Sequence, residues 1–222
     1  MLFNTLLILH ITAGFTALVT AFVAIFSKLI NVAHQWHLYS GRIYFWAMFV
    51  IFVTSIPMSI LHPNLFLFLI SIFSFYYALT GWRLAKNRRG TPQLIDWTTA
   101  SIMSFTSIVM ILYGSYMLIS HTNGIILLVF GVLGSSSGYR DFKRLRAGGV
   151  RGQARIAEHL SGMMGATIAT ITAFLNNNVT FHPEVVVWLG PTLVISPLIV
   201  WWNRQLRQGR RVKGAETPVL QS

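Results

Sequence analysis

The chain has 222 residues, 54% of them hydrophobic and only 10% charged, whereas a soluble domain carries about a quarter charged residues. So few charges cannot cover a water-soluble fold, so composition excludes an ordinary soluble domain and leaves a single bundle in lipid. The net charge of +12 does not point to nucleic acid, because the charges sit in short segments between long apolar runs, as a membrane surface demands.

Seven runs approach the roughly 20 apolar residues that a spanning helix needs: about 2–27, 41–61, 64–82, 95–119, 122–139, 156–176 and 184–202. No Lys or Arg precedes the first run, and Lys28 follows it. A cleaved secretory signal starts positive and is shorter, so run one reads as an uncleaved helix with its N-terminus outside. The fifth run is the weakest, thinned by Ser135, Ser136, Ser137 and Gly138. Pro191 and Pro197 are expected to kink the seventh.

Charge placement supports the count. All 17 Lys and Arg residues follow odd-numbered runs, from Lys28 and Arg42 to the cluster Arg204–Lys213. The connections around His62, around His121 and from Asn176 to Glu184 hold none. Short cytoplasmic loops collect Lys and Arg. Trp36, Trp46, Trp82, Trp97, Trp201 and Trp202 lie near the same boundary, as an interfacial belt does. The expected fold is therefore all-α: seven transmembrane helices over residues 1–202, N-terminus outside and C-terminus cytoplasmic, in an inner membrane. A basic cytoplasmic tail, 203–222, is read as disordered. The partners expected are the bilayer and anionic lipid headgroups at the cytoplasmic face, with no nucleic acid.

With cysteine absent, disulfides, thiolate metal sites and redox thiols are excluded, so any metal falls to His, carboxylate, Met or backbone oxygen. Polar groups inside an apolar protein carry the information, because they are costly in lipid unless partnered. His62, His121 and His182 fall in outer connections and read as solvated. His10 lies roughly 12 Å inside run one and heads a seam of small residues, Gly14, Ala17, Ala21 and Ala24, a face suited to close helix contact. It reads equally as a packing residue and as a ligand. His159 heads a similar seam in run six, Gly162, Ala166, Ala169 and Ala173, but at the cytoplasmic end.

At that end His34, His37, Arg42, Asp96, Asp141 and His159 converge on one leaflet. Two chemistries fit. His34, His37, Asp96, Asp141 and His159 offer ligands for zinc with an open water position, which suits hydrolysis. Alternatively, His37 and His159 ligate haem b as a bis-histidine pair, with Arg42 neutralising a propionate or an anionic substrate headgroup. The structural alternative has Asp96 capping run four, Asp141 pairing with Arg140, Lys143 or Arg144, and Glu158 pairing with Arg155 or Arg151. A non-enzymatic transporter or assembly protein with structural histidines is the second functional reading.

Three stretches carry a resemblance: His10-Ile11-Thr12-Ala13-Gly14; His37-Leu38-Tyr39-Ser40-Gly41-Arg42-Ile43-Tyr44 leading to Met48; and Glu158-His159-Leu160 through Met163 and Gly165 to Thr172-Ala173-Phe174. They resemble a bacterial family of polytopic membrane proteins catalogued as a domain of unknown function. The resemblance implies architecture rather than a reaction, and adds weight to His10, His37, Arg42 and His159. Seven-span zinc hydrolases such as the alkaline ceramidases and the progestin/adiponectin-receptor-like proteins carry His-x-x-x-His on their last helix, and run seven lacks it. Cytochrome-b-like carriers pair intramembrane histidines at two depths; here an inner pair exists, while His10 has no evident partner.

Overall fold

A computed structural model describes residues 1–30, 34–119 and 124–215, with backbone alone for 207–215. Each apolar run becomes one helix: α1 (Leu2–Leu29), α2 (His34–Leu61), α3 (Leu65–Lys86), α4 (Leu94–Leu118), α5 (Gly124–Arg146), α6 (Gly152–Asn178) and α7 (Glu184–Ala215). The described residues form no strand. Five helices, α1 to α4 and α7, are long and apolar enough to cross a membrane. Gly131, Gly134 and Ser135–Gly138 dilute α5, and polar residues such as Gln153, Arg155 and Glu158 open α6.

Several boundaries move outward, including α3 to Lys86, α5 to Arg146 and the start of α6 to Gly152. α2 begins at His34 instead of residue 41, so its first turns carry the histidine-rich segment. α7 continues past residue 202 to Ala215, into the stretch expected as a disordered tail; Arg, Gln and Leu there are good helix formers. Residues 216–222 of that tail lie outside the described residues. Pro191 and Pro197 sit inside this one continuous helix.

The bundle is apolar both inside and out, with several polar groups among its buried residues. Ser107 is fully buried, and Thr106, Ser137 and Asp141 are buried, while Phe105, Leu112, Leu193 and Val194 are exposed. An apolar exterior of this extent suits lipid. α1 packs along α2, α4 along α5, and α6 along both α3 and α7. Small residues make this possible, since apolar helices in lipid gain little from hydrophobic burial and associate through close contact and hydrogen bonds. The α3–α6 crossing is one of two glycine-set contacts: a Cβ on Gly162 would stand 2.8 Å from Gly81 Cα and one on Gly81 2.8 Å from the Met163 amide nitrogen, while at the α4–α5 contact a Cβ on Gly124 would stand 2.5 Å from the Gly114 carbonyl oxygen. The backbones of α2 and α6 do not touch, and only side chains cross between them. Tyr44 Oη lies 3.4 Å from Thr170 Oγ1, which is also 3.4 Å from Met48 Sδ.

Replacing Gly162 with Leu forces α3 and α6 apart and is expected to cost about 1–3 kcal/mol or more through overpacking, read as a lower melting temperature in detergent. Gly190→Ala, where an added Cβ meets nothing within 4 Å, leaves the melting temperature unchanged or slightly raised. Equal losses in the two variants contradict the glycine-set crossing.

Candidate functional site

His37 lies in the first turns of α2, where its half-buried ring reaches the neighbouring α1. Its Nδ1–H donates to the Ala24 carbonyl at 3.0 Å. His159 lies in the second turn of α6 and does the same across the α3 crossing, with Nδ1–H donating to the Gly81 carbonyl at 2.8 Å. A helix carbonyl already bonded to the amide four residues on keeps a second lone pair, which at Ala24 also takes the Ser27 hydroxyl at 3.0 Å. A ring reaches that lone pair only where the side chain beside it is small, which Ala24 and Gly81 provide. A carbonyl only accepts, so in the neutral imidazoles the proton sits on Nδ1 and the Nε2 lone pair is free. Metal-binding histidines are oriented in the same way, by a backbone acceptor on the other nitrogen.

The two rings lie edge to face, with centroids 6.4 Å apart and planes at 88°. Metal–imidazole bonds run about 2.0–2.1 Å. Two rings on opposite sides of one ion therefore stand about 6 Å apart by centroid, and two rings at a tetrahedral angle about 5 Å apart. The observed separation fits the opposed arrangement. One turn beyond His37, a Cβ on Gly41 would meet nothing within 4 Å, so the flank of α2 beside the ring is open.

His34 is exposed, and its ring stacks near His37 with centroids 6.3 Å apart at 25°. The other expected participants lie elsewhere. Asp96 accepts from Arg83 Nε at 3.1 Å and Nη2 at 3.0 Å, and takes the Gln93 amide at 2.9 Å, so it caps α4 while bound to α3. Asp141 accepts the Tyr76 hydroxyl at 2.8 Å and pairs with Arg144 at 3.0 Å. Both carboxylates are thus occupied, and among the described residues no group of three or more His, Asp or Glu is placed to hold a metal ion. The zinc set His34, His37, Asp96, Asp141 and His159 is not assembled.

Arg42 is exposed and stands about 140° around the α2 axis from His37. It shares the outward face with the exposed Tyr39, Ile43 and Trp46, an interfacial setting, and does not face the His37–His159 gap. Glu158 pairs with Arg144 at 3.7 Å. The expected partner Arg155 instead donates to the Leu84 carbonyl and, at 3.1 Å, to the Ala85 carbonyl. These are among the last carbonyls of α3, which have no partner within their own helix.

His10 is half-buried and bonded across α1 and α2, with Nδ1 2.8 Å from Thr54 Oγ1. His62 packs edge-on to Phe3 with centroids 4.2 Å apart, His182 is exposed, and His121 lies outside the described residues. Sequence reasoning missed Ala24, Gly81 and Thr54 as the groups that orient the histidines. Ala24 stood in the small-residue seam, and its smallness serves the ring as well as the helix contact.

Asp141→Ala leaves the buried Tyr76 hydroxyl without its acceptor and Arg144 with Glu158 alone, and is expected to cost about 1–3 kcal/mol in denaturation followed in detergent. Arg42→Ala removes an exposed cation and is expected to stay within about 0.5 kcal/mol. Equal effects contradict the separation of structural from interfacial charges.

Comparison of the chain with protein-family models, curated proteins and solved structures finds no match, so the functional reading rests on the chain's own geometry.

Proposed function

We propose that the protein is a seven-span membrane cytochrome that binds haem b in the gap between α2 and α6 and carries electrons, with His37 and His159 as the axial ligands. The observation that carries this reading is the His37–His159 pair, with centroids 6.4 Å apart, each ring oriented through Nδ1 and, among the described residues, with no hydrogen-bond partner at Nε2. Three features support it. The α2 and α6 backbones stand apart, the flank of Gly41 is open, and no third protein ligand converges among the described residues. Zinc hydrolysis needs a third ligand and an open water position; a bis-histidine pair needs neither.

The topology belongs to the same reading: N-terminus outside, C-terminus cytoplasmic, in the inner membrane of a bacterium, with membership of the domain-of-unknown-function family. All 17 basic residues lie toward the end of the bundle where odd-numbered helices finish and even-numbered helices begin, which supports it. α5 and α6 have 23 and 27 residues, about 34 and 40 Å at 1.5 Å per residue, against a hydrocarbon core of about 30 Å. Their lower apolarity matches their placement, since α6 lies among α1, α3 and α7 and faces protein more than lipid.

Haem held between two imidazoles supplies one-electron transfer without an open site for substrate. The chain's own part is to orient the rings through Ala24 and Gly81 and to shield the gap with Tyr44, Met48 and Met163. Arg42, on the interfacial face, pairs with an anionic headgroup and not with a propionate. His34, exposed beside His37, marks the solvent edge of the pair.

Protein purified in detergent after expression with haem supplied is expected to show a Soret band and a six-coordinate, low-spin spectrum. His37→Ala and His159→Ala each abolish the low-spin component, while Asp96→Asn retains it. A folded wild-type protein without a Soret band contradicts the proposal. Stoichiometric zinc in its place returns the hydrolase reading.

A further inference from the structure

The connections between α3 and α4 and between α5 and α6 lock into each other. The Val150 N–H donates to the Gly90 carbonyl at 3.2 Å. Gly90 and Gly149 lie at positive φ, 70° and 91°, and each has backbone of the other connection where a Cβ would stand. Asn87 closes the first connection on itself: its Oδ1 accepts the Gly90 N–H at 3.1 Å and its Nδ2 donates to the Thr91 carbonyl at 2.7 Å. Arg155, in the first turn of α6, adds its bonds to the Leu84 and Ala85 carbonyls at the end of α3. The two connections therefore form one fixed platform.

That platform carries unanswered charge. Arg88 and Arg89 on one connection and Arg151 on the other are exposed. Arg151 Cγ lies 2.7 Å from the point where a Gly90 Cβ would stand, so its side chain runs against the connection that holds the other two. Among the described residues, ion pairs engage only Arg83 and Arg144. The chain has five acids in all. Asp96, Asp141 and Glu158 are bonded to those two arginines, Glu184 opens α7 at the opposite end, and Glu216 lies outside the described residues. Arg151 is also the N-cap of α6, whose first turn holds no acid, and a cation there opposes the helix dipole. The positive-inside rule asks only for Lys and Arg in short connections; mobile loops meet it as well as a locked pair.

We infer that Arg88, Arg89 and Arg151 bind a lipid headgroup that carries two phosphates, of the cardiolipin kind. Guanidinium groups take phosphate oxygens in bidentate fashion, and basic pockets between helices on one leaflet bind such headgroups. A single phosphate leaves part of the cluster unmet, whereas two phosphates on one molecule answer it with one immobilisation. Apolar surface beside the platform favours a lipid over a soluble phosphate: Leu94 and Ile95 at the start of α4 and Ile156 near the start of α6 are exposed. Trp82 and Trp97 lie within two turns of the same connections, at the level where tryptophan marks the membrane interface. The site stands independently of the His37–His159 reading, and in the proposed topology it lies at the cytoplasmic leaflet.

The test titrates delipidated protein in detergent with tetraoleoyl cardiolipin, and separately with dioleoyl phosphatidylglycerol at matched phosphate, and reads bound lipid by native mass spectrometry. Cardiolipin is expected to bind the wild type at least about tenfold more tightly. Arg88→Gln combined with Arg151→Gln lowers cardiolipin affinity about 25-fold, roughly fivefold per cation. Lys28→Gln combined with Arg204→Gln, which removes two exposed cations elsewhere, changes it less than about threefold, because exposed charges beyond about 10 Å are screened at 0.1 M salt. An unchanged melting temperature in both double variants reports folded protein. Equal affinity of the wild type for the two lipids overturns the inference, and that arm needs no variant. Equal losses in the two double variants also overturn it, since overall charge then accounts for binding. Displacement of cardiolipin by inorganic phosphate at matched phosphate overturns the lipid assignment and leaves a soluble anion in its place.

Discussion

The inner end of the bundle depends on how closely α3 and α6 approach. With hydrogen in place of a side chain at Gly81 and Gly162, the two backbones meet at a separation that admits no Cβ on either side. The Gly81 carbonyl is thereby presented to α6, and His159, three residues before Gly162, reaches it through Nδ1. A wider crossing would leave the ring free to rotate. The same approach brings Arg155 onto the end of α3, where its guanidinium takes the Leu84 and Ala85 carbonyls. Backbone contact, ring orientation and helix capping are therefore one event, and the position of His159 opposite His37 follows from it.

Polar groups in this bundle divide by what satisfies them. The carboxylates Asp96 and Asp141 are each matched by an arginine and a second donor, and so are spent on joining α4 to α3 and α5 to α3. Tyr77, whose hydroxyl lies 2.7 Å from Ser137 Oγ, belongs to the same group of bonds, with Arg140 donating to that serine at 3.0 Å. The imidazoles are different. Each is fixed through one nitrogen and leaves the other uncommitted, which is the state a metal ligand needs and a packing residue does not. That contrast favours cofactor binding over a purely structural role for His37 and His159.

The seven helices were legible because a spanning helix needs a long apolar run, and chain length leaves room for seven. Their ends were less legible. α2 starts at His34 and α7 passes residue 202, since a helix continues through interfacial polar residues whose composition resembles a loop. The convergence of His37 and His159 on one end followed from the distribution of Lys and Arg, but their separation did not, because it depends on the α3–α6 crossing. Pairing across helices was also hidden: Glu158 takes Arg144 from α5 rather than Arg155 from its own helix, and spacing along one helix says nothing of neighbours. Arg42 was legible in principle, since five residues from His37 is the wrong face of a helix. The acceptors Ala24 and Gly81 carry no side-chain signal at all, because backbone oxygen does the work.

On the proposed reading, His37 and His159, with ring planes near perpendicular at 88°, would hold one haem iron between them. Ring orientation is read directly by low-temperature electron paramagnetic resonance of the oxidised protein. Perpendicular axial imidazoles leave the iron d orbitals nearly degenerate and give a highly anisotropic low-spin signal with a single large g value. That signal is expected in the wild type, and its loss in His159→Ala. A three-line rhombic low-spin spectrum, the mark of parallel rings, or a wild-type protein with no low-spin signal, would contradict the account.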